Sequence, residues 1–291
     1  MESGCSAVQA GQYTRWLATH HYENFHVVSV LLPRHLRQDF YNVYAYCRWA
    51  DDLGDEIGDP KQSLKLLAWW RDELEALYRG DAPHHPVFVA LKETIARHEL
   101  PIEPFDHLIR AFEQDQAVTR YAGWQDVHRY CVYSANPVGR LVLMLCGYRD
   151  AERFRLSDAT CTALQLANFW QDVTVDLEKG RIYLPQHLFS QYGYTEEDLS
   201  AHRFNPPFRN VMRDAVDEAQ RLFEEGLALP RMVAGRLALD LELFSRGGMK
   251  VLDKIRALDY DVLRARPAIT RVERAVLLLR SLTGLAFRRA A

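Results

Sequence analysis

Apolar residues recur along most of the chain at the three- and four-residue spacing that is typical of amphipathic helices. In residues 64–80, this spacing joins Leu67, Leu74 and Leu77, and the run stops at Gly80, a residue type that commonly ends helices. Two later runs, "PVFVALKETIARHEL" and "PFDHLIRAFEQDQAV", open on proline, which suits a first helical turn. The alternation of strands is nearly absent. We therefore predict an all-α protein with one domain over residues 1–291, in which 1–19 form a loosely ordered N-terminal extension.

Composition narrows the function classes. Of the 291 residues, 48% are apolar. The net charge is -3 and the pI is near 6.4, so the protein has no overall positive charge that would favour binding to nucleic acid. The five cysteines are scattered without a CxxC pair, which favours reduced thiols in a cytoplasmic protein over disulfides or a zinc site. The first residues lack a signal-peptide pattern, and no apolar run is long enough to span a membrane.

An acidic stretch, "RWADDLGDEIGD", follows one predicted helix. Phe40, Val43 and Cys47 share a helical face, and continuing by four residues reaches Asp51 and then Asp55. A carboxylate on an apolar stripe is costly unless a positive group meets it. Taken alone, the stretch fits a solvated helix end and a functional site about equally well.

A second ladder makes a functional site the stronger interpretation. Asn168, Asp172 and Asp176 follow at four-residue steps, with Gln165 one turn earlier. If the two ladders face one another, their oxygens would suit two or three Mg2+ ions completed by substrate phosphates. The nearby basic residues that would suit a diphosphate are Arg48, Lys179 and Arg181. A di-iron centre needs two Glu-x-x-His pairs, and this sequence has one.

Four segments in order resemble the squalene and phytoene synthases: "ENFHVVSVLLPRHLR", "YAYCRWADDLGDE", "YCVYSANPVGRLVL" and "NFWQDVTVDLEKGRIYLP". The resemblance implies an all-α class I isoprenoid synthase bundle with a central cavity, Mg2+ as cofactor, and no nicotinamide or flavin. The metal ligands that it implies are Asp51, Asp55, Asn168, Asp172 and Asp176. It also implies a diphosphate-binding arginine at Arg48, the motif-two glutamine at Gln165 as a substrate-binding residue, a catalytic tyrosine at Tyr130, and a prenyl channel lined by Phe25, Ala135 and Gly139. An aromatic residue at positions 25 and 130 is also compatible with plain core packing.

Two departures from the family pattern suggest one branch. Gln171 stands where an arginine usually helps to hold diphosphate, and Gly248 stands where many members have a tyrosine. We interpret these as a lost cationic contact and opened space, which disfavour holding two diphosphates. The pattern resembles the hydroxysqualene synthase branch of hopanoid biosynthesis, which ionises presqualene diphosphate and captures the cation with water. Gly247 and Gly248 are candidates for the opening that admits this water.

Two other functions stay open: head-to-head condensation of prenyl diphosphates, and a non-catalytic family member that acts in assembly or carries lipid. We expect a presqualene or farnesyl-derived diphosphate substrate and functional coupling to upstream and downstream squalene-pathway enzymes. Peripheral contact with the inner face of the cytoplasmic membrane is compatible with such apolar chains. The basic amphipathic segment 271–289 could lie at that interface, although a last core helix is the commoner fate of such a segment.

Overall fold

A computed structural model of the chain describes residues 5–20, 34–270 and 272–273. This part of the chain forms helices and connecting loops, with one isolated parallel bridge between Arg120 and Ile182. Its fourteen helices are α1 Ala7–His20, α2 Arg37–Asp55, α3 Pro60–Arg79, α4 Pro86–His98, α5 Glu103–Asp115, α6 Trp124–Ser134, α7 Asn136–Leu145, α8 Ala151–Gln171, α9 Val173–Glu178, α10 Gln186–Tyr192, α11 Glu196–Ser200, α12 Pro206–Gly226, α13 Leu229–Met232 and α14 Gly235–Ala257. The all-α prediction is confirmed.

Local chemistry explains where the longer helices begin and end. The Asp59 side chain accepts a hydrogen bond from the Lys61 amide at the start of α3, and Pro60 occupies the first helical position. Helix α3 ends as predicted at Gly80, whose φ of 97° is a left-handed conformation that glycine adopts without strain. Asn205 caps α12 in the same way, through a 2.9 Å bond from the Phe208 amide.

The fold consists of two compact units, and each takes two segments of the chain. Unit 1 contains residues 1–117 and 133–154, and unit 2 contains residues 118–132 and 155–291. Each unit has fully buried aromatic side chains, among them Trp70 in unit 1 and Trp170 in unit 2. That residues 1–291 act as one domain around a central cavity stays a prediction.

In unit 1, the structure differs from the loosely ordered extension predicted for residues 1–19, because Ala7–His20 form helix α1. This helix buries Leu17 and also Thr14, whose hydroxyl donates to the Asn42 side-chain oxygen at 2.6 Å. The Asn42 amide in turn donates to the Ala90 carbonyl at 3.0 Å. A buried polar network whose hydrogen bonds are all made holds α1 in one position against its neighbours. This explains why a segment with few large apolar residues is ordered.

In unit 2, the space predicted at Gly248 is filled by another helix. A Cβ atom at Gly248 in α14 would lie 2.2 Å from the Phe223 ring of α12 and 3.0 Å from the Leu164 side chain of α8. Gly248 therefore allows a close contact with Phe223 and leaves no opening there. At Gly247, by contrast, a Cβ atom would meet no atom within 4 Å.

Helix α14 also buries an acidic residue. Asp240 is 3% exposed, and neither of its carboxyl oxygens has a hydrogen-bond partner in the described part of the chain. Burial raises the pKa of Asp240 from 3.8 to about 7, against the opposing effect of Arg236. At neutral pH this carboxyl is therefore close to its own titration midpoint.

We expect Gly247→Ala and Gly248→Ala to change stability in opposite directions. Alanine at the open position should raise the free energy of unfolding by about 0.5–1 kcal/mol through helix propensity. At Gly248 the clash with Phe223 should lower it by about 1–3 kcal/mol. Denaturant unfolding of both variants measures the difference. Adding Phe223→Leu to Gly248→Ala should recover part of the loss, whereas equal effects at the two glycines would contradict the packing described.

We expect Asp240→Asn to stabilise the protein more at pH 8 than at pH 5. The native state binds a proton up to about pH 7, whereas the unfolded chain has released it by about pH 4. Protonation of Asp240 therefore contributes its full stabilisation, about 4 kcal/mol, below pH 4. This contribution is lost as the pH rises to 7. Thermal unfolding at both pH values tests this, with exposed Asp253→Asn as the control on the same helix. An identical shift at both pH values would refute the assignment.

Candidate functional site

The first carboxylate ladder lies in the last turns of helix α2, in unit 1. Asp51 and Asp55 are half-buried. The helical face that begins with buried Phe40 and Val43 thus becomes partly exposed towards the end of α2. The Asp51 and Asp55 carboxylates there keep part of their hydration. Gly54 allows α5 to approach this end closely, since a Cβ atom there would lie 3.0 Å from Phe112.

Arg48 pairs with this ladder from one helical turn before it. Its Nη1 atom lies 3.0 Å from Asp51 Oδ2, and its Nη2 atom forms a second ion pair with Asp52. Burial alone would lower the pKa of Arg48, but the two aspartates outweigh it and the pKa is raised. The Arg48 Nε atom is buried and has no hydrogen-bond partner among the described residues. Such an unsatisfied donor fits an anionic ligand.

The second ladder lies at the junction of α8 and α9, in unit 2. Asp172 separates the two helices and has non-helical angles, φ -107° and ψ 19°. The four-residue spacing nevertheless persists, because the Asp172 amide donates to the Asn168 carbonyl at 2.9 Å and the Asp176 amide to the Asp172 carbonyl at 2.8 Å. Asn168 is exposed, and Asp172 and Asp176 are half-buried. The predicted ladder thus exists, although one straight helix does not carry it.

A residue that sequence reasoning missed, Arg266, pairs with this ladder. Its guanidinium makes two contacts with Asp172, one to each carboxylate oxygen, and the longer contact, from Nη2 to Oδ2, measures 3.1 Å. The hydrogen bond to Asp172 raises the pKa of Arg266. Next to it, the Gln171 side-chain amide donates to the Pro267 carbonyl. The segment after α14 therefore places the Arg266 guanidinium beside Gln171. Position 171 is the one at which the family pattern has an arginine.

Tyr130 lies in an aromatic cluster of unit 2 and is 4% exposed. Its ring centroid is 5.7 Å from those of Tyr121 and Tyr183 and 5.9 Å from that of Phe169. Phe169 and Tyr183 stack face to face at 3.6 Å. Since Phe169 directly follows Asn168, the cluster connects the predicted catalytic tyrosine with the second ladder.

The other predicted residues are distributed over both units. Gln165 is half-buried on α8, and Ala135 and Gly139 are half-buried at the start of α7 in unit 1. Arg181 and Asp176 line one small cleft in unit 2, and the Arg181 amide donates to the Asp176 carbonyl at 2.8 Å. Phe25 lies outside the described residues, as does most of the basic segment 271–289. Their predicted roles stay predictions.

The donor atoms of both ladders suit Mg2+, because they are hard oxygens that remain partly hydrated. Within the described ranges, no three acidic, histidine or cysteine side chains are already gathered as a metal site. The structure instead pairs one carboxylate of each ladder with a guanidinium: Asp51 with Arg48, and Asp172 with Arg266. Each ladder thus combines oxygen ligands with a cation that could contact a diphosphate. Whether the two ladders share one ion cluster stays a prediction.

None of the described helices is long and apolar enough to cross a membrane.

Comparison with known proteins agrees with these motifs. The sequence profile of the squalene/phytoene synthase family matches residues 18–273. The phytoene synthase of Thermus thermophilus is 34% identical over 92% of this chain and 90% of its own length. The crystal structure of squalene synthase HpnC from Alicyclobacillus acidocaldarius is 47% identical, with a TM-score of 0.83 over 87% of this chain and 95% of that one. A dehydrosqualene synthase in complex with ligand, 22% identical, superposes with a TM-score of 0.87 over 96% of this chain and 98% of its own, which shows the fold.

The chain therefore has the all-helical isoprenoid synthase fold and belongs to the squalene/phytoene synthase family, whose members act on prenyl diphosphates in isoprenoid biosynthesis.

Proposed function

We propose that this protein converts presqualene diphosphate and water into hydroxysqualene and diphosphate, a step of squalene and hopanoid biosynthesis. The contact that carries this proposal is the hydrogen bond from Gln171 to the Pro267 carbonyl. At the motif position where a family arginine would hold diphosphate, this chain has Gln171. Its side-chain amide is uncharged and already donates its hydrogen bond to the Pro267 carbonyl. A motif that itself carries one cation fewer suits one diphosphate better than two, and Arg266 returns part of that charge from outside the motif. The 47% identity to a squalene synthase named HpnC supports the same branch.

In this proposal, the residues that would hold Mg2+ are Asp51, Asp55, Asn168, Asp172 and Asp176. When bound, the ions would supply Lewis-acid stabilisation of the departing diphosphate. Arg48 donates from its unsatisfied Nε atom to a diphosphate oxygen, and Arg266 and Arg181 add positive charge. The carbon–oxygen bond breaks with its electron pair on diphosphate, and the remaining carbocation rearranges. A water oxygen then bonds to the cation and releases one proton.

The aromatic cluster around Tyr130 supplies rings that stabilise a cation. Cation–π attraction is worth about 0.5–2 kcal/mol per ring, more where water is excluded. Tyr121, Tyr130 and Tyr183 are each 6% exposed or less, so this part of unit 2 excludes water well. In this proposal Tyr130, or a water molecule bound by an aspartate, relays the proton that the captured water releases to a carboxylate or to solvent.

Head-to-head condensation of two prenyl diphosphates is the second candidate function. Arg266 favours it, because this guanidinium partly replaces the cation that Gln171 lacks. The 34% identity to a phytoene synthase over most of both chains favours it as well. The two functions differ in substrate, since condensation consumes farnesyl or geranylgeranyl diphosphate and the proposed reaction does not.

We expect the purified protein with Mg2+ and presqualene diphosphate to release diphosphate and form hydroxysqualene without any reductant. With farnesyl diphosphate alone, we expect no turnover. Extraction and mass spectrometry of the product, together with a diphosphate assay, measure both. Consumption of farnesyl diphosphate would establish the condensing function instead. No reaction with presqualene, farnesyl or geranylgeranyl diphosphate would favour a non-catalytic lipid-carrying role.

We expect Asp51→Asn and Asp172→Asn each to reduce turnover at least about a hundredfold and to raise the Mg2+ concentration needed for half-maximal rate. Each change removes a negative oxygen ligand and leaves the side-chain shape nearly unchanged. Glu56→Gln is the matched control, because this exposed residue at the end of α2 removes the same charge next to the ladder. Thermal unfolding should show all three variants folded. Unchanged turnover and Mg2+ dependence in Asp51→Asn or Asp172→Asn would contradict the metal assignment.

A further inference from the structure

The connection between helices α9 and α10 in unit 2 carries parts of the proposed site and has no helix of its own. It runs over residues 179–185 and contains Arg181 and Tyr183. Arg181 lines one cleft with Asp176, and the Tyr183 ring stacks on Phe169 of α8. The position of this connection therefore determines where a candidate diphosphate contact lies relative to a candidate metal ligand.

The stretch that precedes helix α6 holds this connection by backbone hydrogen bonds. The Ile182 amide donates to the Thr119 carbonyl at 2.9 Å. The Gln186 amide, at the start of α10, donates to the Tyr121 carbonyl at 2.9 Å. Arg120 lies between these two acceptor residues and forms the isolated parallel bridge with Ile182. Two stretches that are far apart in the sequence thus run side by side, with the Arg120 side chain at their contact.

The Arg120 guanidinium joins the two ends of this connection. Its Nη1 atom donates to the Gly180 carbonyl at 2.7 Å, and its Nε atom donates to Glu196 Oε2 on α11 at 2.9 Å. The other carboxylate oxygen of Glu196, Oε1, accepts a 3.0 Å hydrogen bond from the Gln186 side-chain amide. Arg120 and Glu196 keep about a third of their side-chain surface exposed, and such ion pairs typically contribute about 0–1 kcal/mol to stability. The pair is therefore better explained by the segment that it holds in place than by the stability that it adds.

One peptide group connects Arg120 to the second ladder. The Gly180 carbonyl and the Arg181 amide belong to the same planar unit. The carbonyl accepts the hydrogen bond from Arg120, and the amide donates to the Asp176 carbonyl of α9 at 2.8 Å. This peptide group cannot rotate without breaking one of the two bonds. Arg120 therefore helps to fix the backbone from which the Arg181 side chain extends.

We propose that Arg120 is a positioning residue for diphosphate binding, which holds the Gly180–Arg181 peptide so that Arg181 and Asp176 stay in one cleft. This inference rests on the ligand roles proposed for Arg181 and Asp176, and it applies to both candidate reactions because each binds a prenyl diphosphate. Arginine suits this task better than lysine, since its planar guanidinium donates in several fixed directions at once.

Calorimetric titration of the full-length protein with inorganic diphosphate in the presence of Mg2+ tests the proposal without turnover. We expect Arg120→Ala to bind diphosphate about tenfold more weakly than the parent protein, because the Arg181 backbone is no longer held. Arg120→Lys should recover part of this loss, since one ammonium group cannot reproduce the full set of guanidinium bonds. Arg203→Ala is the matched control and should bind like the parent protein, because it removes an exposed arginine that pairs with Asp198 on the same helix, α11. Circular dichroism should show all three variants folded.

A double-mutant cycle separates positioning from a merely structural role. Arg181→Gln alone should weaken diphosphate binding, and adding Arg120→Ala should weaken it by at most about a further twofold, because the contact that Arg120 positions is already lost. Full additivity of the two losses would overturn the proposal. So would an Arg120→Ala variant that binds diphosphate normally and only unfolds at a lower temperature.

The same titration distinguishes this proposal from the proposed reaction. A parent protein that binds diphosphate but makes no hydroxysqualene would refute the reaction, while the role of Arg120 would stand on the binding data. A parent protein that does not bind diphosphate with Mg2+ would refute the ligand roles of Arg181 and Asp176, and the role of Arg120 with them.

Discussion

Pairing between an arginine and a half-buried aspartate is the interaction on which both parts of the candidate site depend. Asp172 keeps only 16% of its side-chain surface exposed, and an ionised carboxylate with so little water needs a positive partner. Arg266 provides this partner, as Arg48 does for Asp51. Mg2+ would compete with these guanidinium groups for the same oxygens, and diphosphate would compete with the carboxylates for the same guanidinium groups. In the proposed function, one set of side chains would therefore be stable without ligand and would also bind a metal–diphosphate complex.

Sequence patterns predicted the features that depend on near neighbours in the chain. Helix α3 ends at Gly80 and α4 begins at Pro86, because capping and proline chemistry act within one turn. The spacing of the second ladder was also predictable, although α8 ends just before Asp172. The hydrogen bonds from residue 172 to 168 and from 176 to 172 keep the four-residue step through the break.

Features that depend on distant contacts could not be predicted in this way. Arg266 and Asp172 are separated by 94 residues, and nothing in the spacing of either segment identifies the other. At Gly248 the sequence shows a missing side chain but not the Phe223 ring that occupies its place. Helix α1 has a weak apolar pattern, and its order follows from Thr14 and Asn42, whose hydrogen bond exists only after two helices have packed.

The contact between Gln171 and Pro267 changes how the substitution at position 171 should be understood. Glutamine at this position removes a charge from the motif, but its amide also binds the backbone directly after Arg266. Gln171 and Arg266 therefore act together, because Gln171 binds the segment that carries the Arg266 guanidinium. An arginine at position 171 would place a second guanidinium beside that of Arg266, and like charges repel. The positive charge at this position is thus set by Gln171 and Arg266 together, and counting cations within the motif alone underestimates it.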